Sequence, residues 1–228
     1  MQKSVVTFDI GQTLVDLDLD FLAVRLGQRG TSAVSAEALR KAMPAAWQTY
    51  DALTAAGASH PWHELMRVLL TGAGIADAEP LVSWLYEQQA THNLWRKPIP
   101  PMIDLVRELR ARGVAIAALS NSEGHLAELL EEIELAPLFD AIIDSGRVGI
   151  AKPDPRIFAH TLQQLAIKPD VVVHVGDSWS ADVEGALAAG WRAIWFRSRP
   201  SDSPGDPRVP VARDAAETRA ALSLFGVP

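Results

Sequence analysis

Apolar positions along the chain fall into two textures. Val5, Val6, Thr7 and Phe8 form a short, β-branched run that predicts a buried strand over residues 3–9. From residue 16 to about 95 such runs are absent, and apolar residues recur at helical spacing: Phe21, Val24 and Leu26, then Leu39, Met43, Ala46 and Trp47, then Leu65, Val68 and Leu69. Breaks at Gly30-Thr31, Gly57 to Pro61 and Gly72 to Gly74 divide this stretch into about four helices. The prolines of Lys97-Pro98-Ile99-Pro100-Pro101 then stop the preceding helix and stiffen a connector. Beyond it helix and strand alternate. Helices are expected over 102–112 (closed by Gly113), 122–135, 155–166 (with Asp154 as N-cap), 181–189 (closed by Gly190) and 214–225. Strands are expected over 114–119, 141–144, 171–175 and 192–196.

Strands alternating with helices of this length imply right-handed βαβ units and a parallel sheet. The expected fold is α/β: a doubly wound, mostly parallel, Rossmann-like core over 1–15 and 96–228, with an all-helical domain inserted after the first strand over 16–95. Trp47, Trp62, Trp84, Trp95, Tyr50 and Tyr86 all fall in the insert, as its small core or as one or two rings facing a cleft.

Composition narrows the picture. The 228 residues are 48% hydrophobic and 21% charged, which is ordinary for a globular chain large enough to fold without staples. With Cys 0, thiolate nucleophiles, thiolate metal sites and disulfides are excluded, in keeping with a cytoplasmic protein. A net charge of −7 argues against nucleic acid as a partner. No apolar run approaches the ~20 residues of a membrane span, and the early Asp9 does not suit a signal peptide. Ser198 to Pro210 is the loosest segment by composition.

The candidate chemistry lies at the strand ends. The first strand runs into Asp9, with Gly11 two residues on. Another ends at Ser120-Asn121. Lys152-Pro153-Asp154 leads into a helix, and a further strand ends at Gly176-Asp177-Ser178, with Asp182 following. Parallel strands put these ends on one edge of the sheet, where open α/β proteins bind ligands. Two facing carboxylates repel unless a cation lies between them, and oxygen-only donors suit Mg²⁺. A hydroxyl, backbone N–H groups and a lysine at the same place suit a phosphate dianion.

Phe8-Asp9-Ile10-Gly11-Gln12-Thr13-Leu14, Leu119-Ser120-Asn121, Lys152-Pro153-Asp154-Pro155 and Gly176-Asp177-Ser178-Trp179-Ser180-Ala181-Asp182 resemble, in this order, the four motifs of the haloacid dehalogenase-like superfamily of hydrolases. The resemblance extends over essentially the full length, and the helical insert looks like the cap of that family. It implies a small phosphorylated substrate and an aspartyl-phosphate formed on Asp9. It implies Mg²⁺ held by Asp9, the Gly11 carbonyl and Asp177. It further implies phosphoryl contacts from the Gly11-Gln12-Thr13 turn, Ser120 and the Asn121 N–H. Lys152 would neutralise charge, Ser178 would support the site, and Asp182 would anchor Lys152 or an outer water rather than bind the metal directly.

One position departs. Phosphatases of that family usually carry a second aspartate two residues after the nucleophile, as acid and base, followed by Gly. Here those positions are Gly11 and Gln12. Proton transfer of that kind is worth ~10²–10⁴-fold. Three readings are consistent with the departure. The first is a phosphatase with a good leaving group or with a donor from elsewhere, for which Asp16, Asp18, His60 and His63 are candidates. The second is a phosphonate-cleaving hydrolase using Lys41, the only lysine of the insert. The third is a catalytically weak or inactive regulatory protein that binds phosphate and metal.

Overall fold

A computed structural model describes residues 4–30, 34–58, 61–166, 171–197 and 206–228. Lys3, Thr31, Ser59, His60 and residues 198–205, all singled out by the sequence, lie outside the described residues. In chain order the strands and α-helices are β1 (Ser4–Phe8), β2 (Val15–Leu17), α1 (Leu19–Gln28), α2 (Ala36–Ala55), α3 (Trp62–Gly72), α4 (Glu79–Glu87), β3 (Trp95–Pro98), α5 (Pro100–Ala111), β4 (Ala115–Ser120), α6 (Leu126–Glu132), β5 (Ala141–Asp144), α7 (Ser145–Val148), α8 (Pro155–Leu165), β6 (Val171–Gly176), α9 (Gly185–Ala188), β7 (Arg192–Phe196), β8 (Val211–Ala212) and α10 (Ala215–Leu224).

They form two compact units, Met1–Leu17 with Trp95–Pro228, and Asp18–Leu94. The first is built on a six-stranded sheet of order β5-β4-β1-β6-β7-β8. Every pairing in it is parallel, with Phe8 beside Ala118 on one flank and beside Val175 on the other. β1 is central and wholly buried, which is why its sequence is an apolar run rather than an alternation. Helices α8 and α9 pack on β4, β5 and β7, while α5 and α10 pack on β4, β7 and each other. Phe158, Trp191 and Trp195 fill the layer under α8 and α9 together with Leu119 and Ile157. A two-stranded antiparallel ribbon of β2 and β3 belongs to the same unit.

The Asp18–Leu94 unit consists, among its described residues, of the four helices α1–α4. Asp18 caps α1 by accepting from the N–H groups of Asp20 and Phe21, and Ser35 caps α2 by accepting from that of Ala38. Helices α2 and α3 pack closely enough that a Cβ on Gly72 would lie 2.9 Å from the Ala42 Cβ. Leu22, Leu26, Leu39, Leu65, Met66 and Leu69 make this unit's own core. No helix among the described residues is long and apolar enough to cross a membrane.

Four features depart from the expected elements. Lys97-Pro98 belongs to β3 rather than to a bare connector. Trp95, expected in the helical insert, belongs to the sheet unit, where Leu17 pairs with it. The helix expected over 122–135 spans only Leu126–Glu132, because buried Asp144 captures the N–H groups of Gly124 and Leu126 and Ser145 Oγ accepts from the Ser122 N–H, holding 122–125 as a loop. The helix expected over 181–189 begins as a wider π-type turn over Trp179–Glu184 before α9 continues it.

Candidate active site

The β1 strand delivers Asp9 to the carboxyl edge of the sheet, and its N–H continues the ladder by donating to Val175 O at 2.9 Å. The chain then turns sharply. Gln12 adopts a left-handed backbone, φ 59°, while its N–H donates to Val15 O at 2.6 Å. A non-glycine residue held in this region is uncommon and clusters at functional sites. Gln12 and Thr13 are buried, and neither Gln12 Oε1 nor Thr13 Oγ1 has a hydrogen-bond partner. Orphaned buried polar atoms point to a missing ligand or water.

Lys152 is the centre of the cluster. Its buried Nζ donates to Asp9 Oδ1 at 2.7 Å, to Asp182 Oδ1 at 2.6 Å and to Leu119 O at 2.7 Å. An ammonium has three N–H groups, so all three are engaged. Asn121 holds the lysine's backbone: its Nδ2 donates to Lys152 O at 3.0 Å, and its Oδ1 accepts from the Lys152 N–H at 2.8 Å. The Lys152–Pro153 peptide is cis. Ser120 ends β4, buried, in register with Asp144.

Asp182 sits on the π-type turn. Its Oδ2 accepts from the Ser178 N–H at 2.8 Å, and its Oδ1 lies 3.0 Å from His174 Nε2 as well as on Lys152. A Cβ on Gly176 would lie 2.3 Å from the Asp182 carboxyl carbon, so only glycine at 176 lets the carboxylate fold back over the end of β6. Ser178 caps the turn by accepting from the Ala181 N–H at 3.2 Å. On its other ring nitrogen His174 lies 2.7 Å from Thr7 Oγ1.

These contacts decide the electrostatics. Burial raises the carboxyl pKa of Asp9, and the negative charge of Asp182 adds to it, against the pull of Lys152. Burial also pushes Asp182 up, but the Lys152 charge and the His174 hydrogen bond outweigh it and hold the group well below the usual carboxylate range. For Lys152 burial favours the neutral amine, and the two carboxylates reverse this, so its pKa is raised. The group is a buried cation between two carboxylates, costly to desolvate and kept by mutual pairing.

Carboxylate oxygens of Asp9, Asp177 and Asp182 lie within 4.8 Å of one another. Both Asp182 oxygens are already engaged by Lys152, His174 and Ser178, so the pair suited to a cation is Asp9 and Asp177. An all-oxygen donor set fits a hard divalent ion. The Asp177 loop is pinned by Trp195, whose Nε1 donates to Asp177 O at 2.9 Å. Trp195 and Asp144 stand in no motif, and although Leu119 does, the acceptor role of its carbonyl arises from tertiary placement alone.

Other candidates are placed differently. Asp18 spends Oδ1 on capping α1, and Asp16 is exposed on β2. His63 is exposed and stacks on Tyr86 with ring centroids 4.6 Å apart. Lys41 is exposed on α2, 3.7 Å from Glu37. Beside Gly11 the neighbour is an indole: a Cβ there would lie 3.4 Å from Trp95 Cδ1 and 3.9 Å from its Nε1.

An open parallel α/β sheet carrying a lysine-bridged pair of aspartates, with a third carboxylate close by, defines an α/β enzyme with its site at the strand ends. The chain belongs to the haloacid dehalogenase-like hydrolases, whose family model matches residues 3–190. Haloacid dehalogenase-like hydrolase domain-containing protein 3 of Mus musculus is 33% identical over 153 residues, covering 65% of this chain and 61% of the relative; that of Bos taurus is 29% identical over 221 residues, covering 92% and 86%. A phosphoserine phosphatase of Thermus thermophilus is 39% identical over 120 residues, 51% of this chain and 48% of that enzyme. The matched stretch therefore spans about three fifths of the mouse relative and about half of the phosphatase. In fold, the chain is similar to the HAD-hydrolase YfnB of Bacillus subtilis, solved bound to magnesium, with a TM-score of 0.68, 20% identity and coverage of 97% of this chain and 99% of that one.

Proposed function

We propose that the chain is a Mg²⁺-dependent phosphatase acting on a small phosphorylated metabolite through an aspartyl-phosphate. The observation that carries this reading is the Lys152 ammonium shared between Asp9 and Asp182, beside Asp177. Asp9, Asp177 and the Gly11 carbonyl would hold the ion, which when bound polarises the phosphoryl group and screens its charge. Asp9 attacks phosphorus through a carboxylate oxygen. Lys152 orients that carboxylate and offsets the charge gathering around it. The Ser120 hydroxyl, the Asn121 N–H and the Gly11-Gln12-Thr13 turn bind phosphoryl oxygens, and Ser178 and Asp182 keep Lys152 in place. The Asp18–Leu94 unit is assigned as a cap that selects the substrate and excludes water. Phosphatase names among the relatives support the reaction class.

A second reading, a catalytically weak phosphate- and metal-binding regulatory protein, is favoured by the indole beside Gly11. The phosphonate-cleaving reading is disfavoured by the exposed, glutamate-paired Lys41. Hydrolysis of 4-nitrophenyl phosphate with and without Mg²⁺ separates the first two. Metal-dependent release of nitrophenol, abolished by Asp9→Asn, is expected for the phosphatase. Intact metal binding without turnover selects the regulatory protein.

A further inference from the structure

Cleavage of a P–O bond leaves an electron pair on the departing oxygen. An alkoxide needs a proton there, whereas a carboxylate or an acidic phenolate leaves without one. Among the described residues of the sheet unit that cluster with Asp9, none offers such a proton. The Lys152 ammonium has all three N–H groups committed to Asp9, Leu119 and Asp182. Gly11 has no side chain, and Gln12 is an amide. The space a side chain at 11 would enter meets the Trp95 indole, with Cδ1 at 3.4 Å and Cγ at 3.8 Å from the Cβ position. Trp95 is itself buried and fixed in β3.

We propose, resting on the phosphatase reading, that the enzyme takes phosphates whose leaving group departs unprotonated, acyl phosphates above all, and that Trp95 is a positioning residue that lines the Gly11 side of the turn after Asp9. In the first step an Asp9 oxygen bonds to phosphorus, the P–O bond to the acyl group breaks, and the electron pair leaves as carboxylate. In the second step water bonds to phosphorus, the Asp9–phosphorus bond breaks with its electron pair returning to Asp9, and both water protons leave with the phosphate, one staying on hydrogen phosphate and the other passing to solvent. That second step has no dedicated base, so the aspartyl-phosphate accumulates.

The test is a leaving-group series with Mg²⁺: acetyl phosphate, 4-nitrophenyl phosphate, phenyl phosphate and glycerol phosphate. Acetyl and 4-nitrophenyl phosphate are expected to turn over with a burst of about one equivalent. The alkyl ester is expected to fall behind by ~10²–10⁴-fold in kcat/KM, the usual worth of a proton donor. The double substitution Gly11→Asp with Trp95→Ala is expected to flatten the series and shrink the burst, and Trp95→Phe to preserve both. Glycerol phosphate within tenfold of 4-nitrophenyl phosphate overturns this inference while leaving the phosphatase reading intact. No turnover of any member overturns both.

Discussion

Both units carry ion pairs at the surface, but among the described residues only the sheet unit also buries a charged cluster. In the sheet unit a lysine and two aspartates are buried against one another, with His174 and a backbone carbonyl completing the set. In the helical unit the ion pairs Asp20–Arg40, Glu37–Lys41 and Glu64–Arg67 lie at the surface. Surface pairs are each worth about 0–1 kcal/mol, so they leave the helices to be held by the apolar core. A buried cluster is held together only because each member compensates another, which is how a site stays charged away from water.

The largest expected effect breaks the buried side of that contrast. Lys152→Met leaves Asp9 and Asp182 facing each other uncompensated, and urea denaturation should show a loss of ~3–5 kcal/mol without bound metal. A loss below about 1 kcal/mol would mean that the cluster is not tightly coupled. Next, Leu69→Ala removes a fully buried side chain from the helical unit and should cost ~2–5 kcal/mol by cavity formation. Affinity for inorganic phosphate should be unchanged; a parallel loss would mean that the sheet site depends on the helical core.

A smaller effect concerns acid. The carboxyl of Asp182 is depressed in the folded protein, so its stabilisation is present above the unfolded pKa near 3.9 and is lost as pH falls toward the folded value. The raised Asp9 carboxyl works the other way, being relatively favoured as pH falls. Asp182→Asn should therefore flatten the stability loss below about pH 4, measured by urea midpoints from pH 6 to 3. An unchanged slope would assign the acid limb to other groups. The smallest effect is expected at the helical surface, where Lys41→Gln should shift stability by under about 0.5 kcal/mol and leave hydrolysis unaltered. A tenfold activity loss there would restore the phosphonate-cleaving alternative.

Much of this was legible in the chain. Strand positions followed from apolar β-branched runs, and the meeting of Asp9 with Lys152 and Asp177 followed from parallel topology, because strand ends share an edge, at which Ser120 also ends its strand. What was not legible depends on neighbours distant in sequence. β2 and β3 are too short to carry periodicity, and the prolines that end β3 read as a connector. The loop at 122–125 looks helical until Asp144 takes its N–H groups. The substitution pattern at Gly11 could be read as a missing acid, but not that an indole from residue 95 stands beside it.

The β2–β3 ribbon joins Leu17 to Trp95, and one residue further on each side the Asp18 N–H donates to Leu94 O at 2.8 Å. The helical unit thus begins and ends at one stapled doorway. Closing a long excursion whose ends already touch costs entropy that grows only with the logarithm of its length. The helices between can be lengthened, exchanged or excised as a cassette while the central strand keeps its register and the strand ends keep their places.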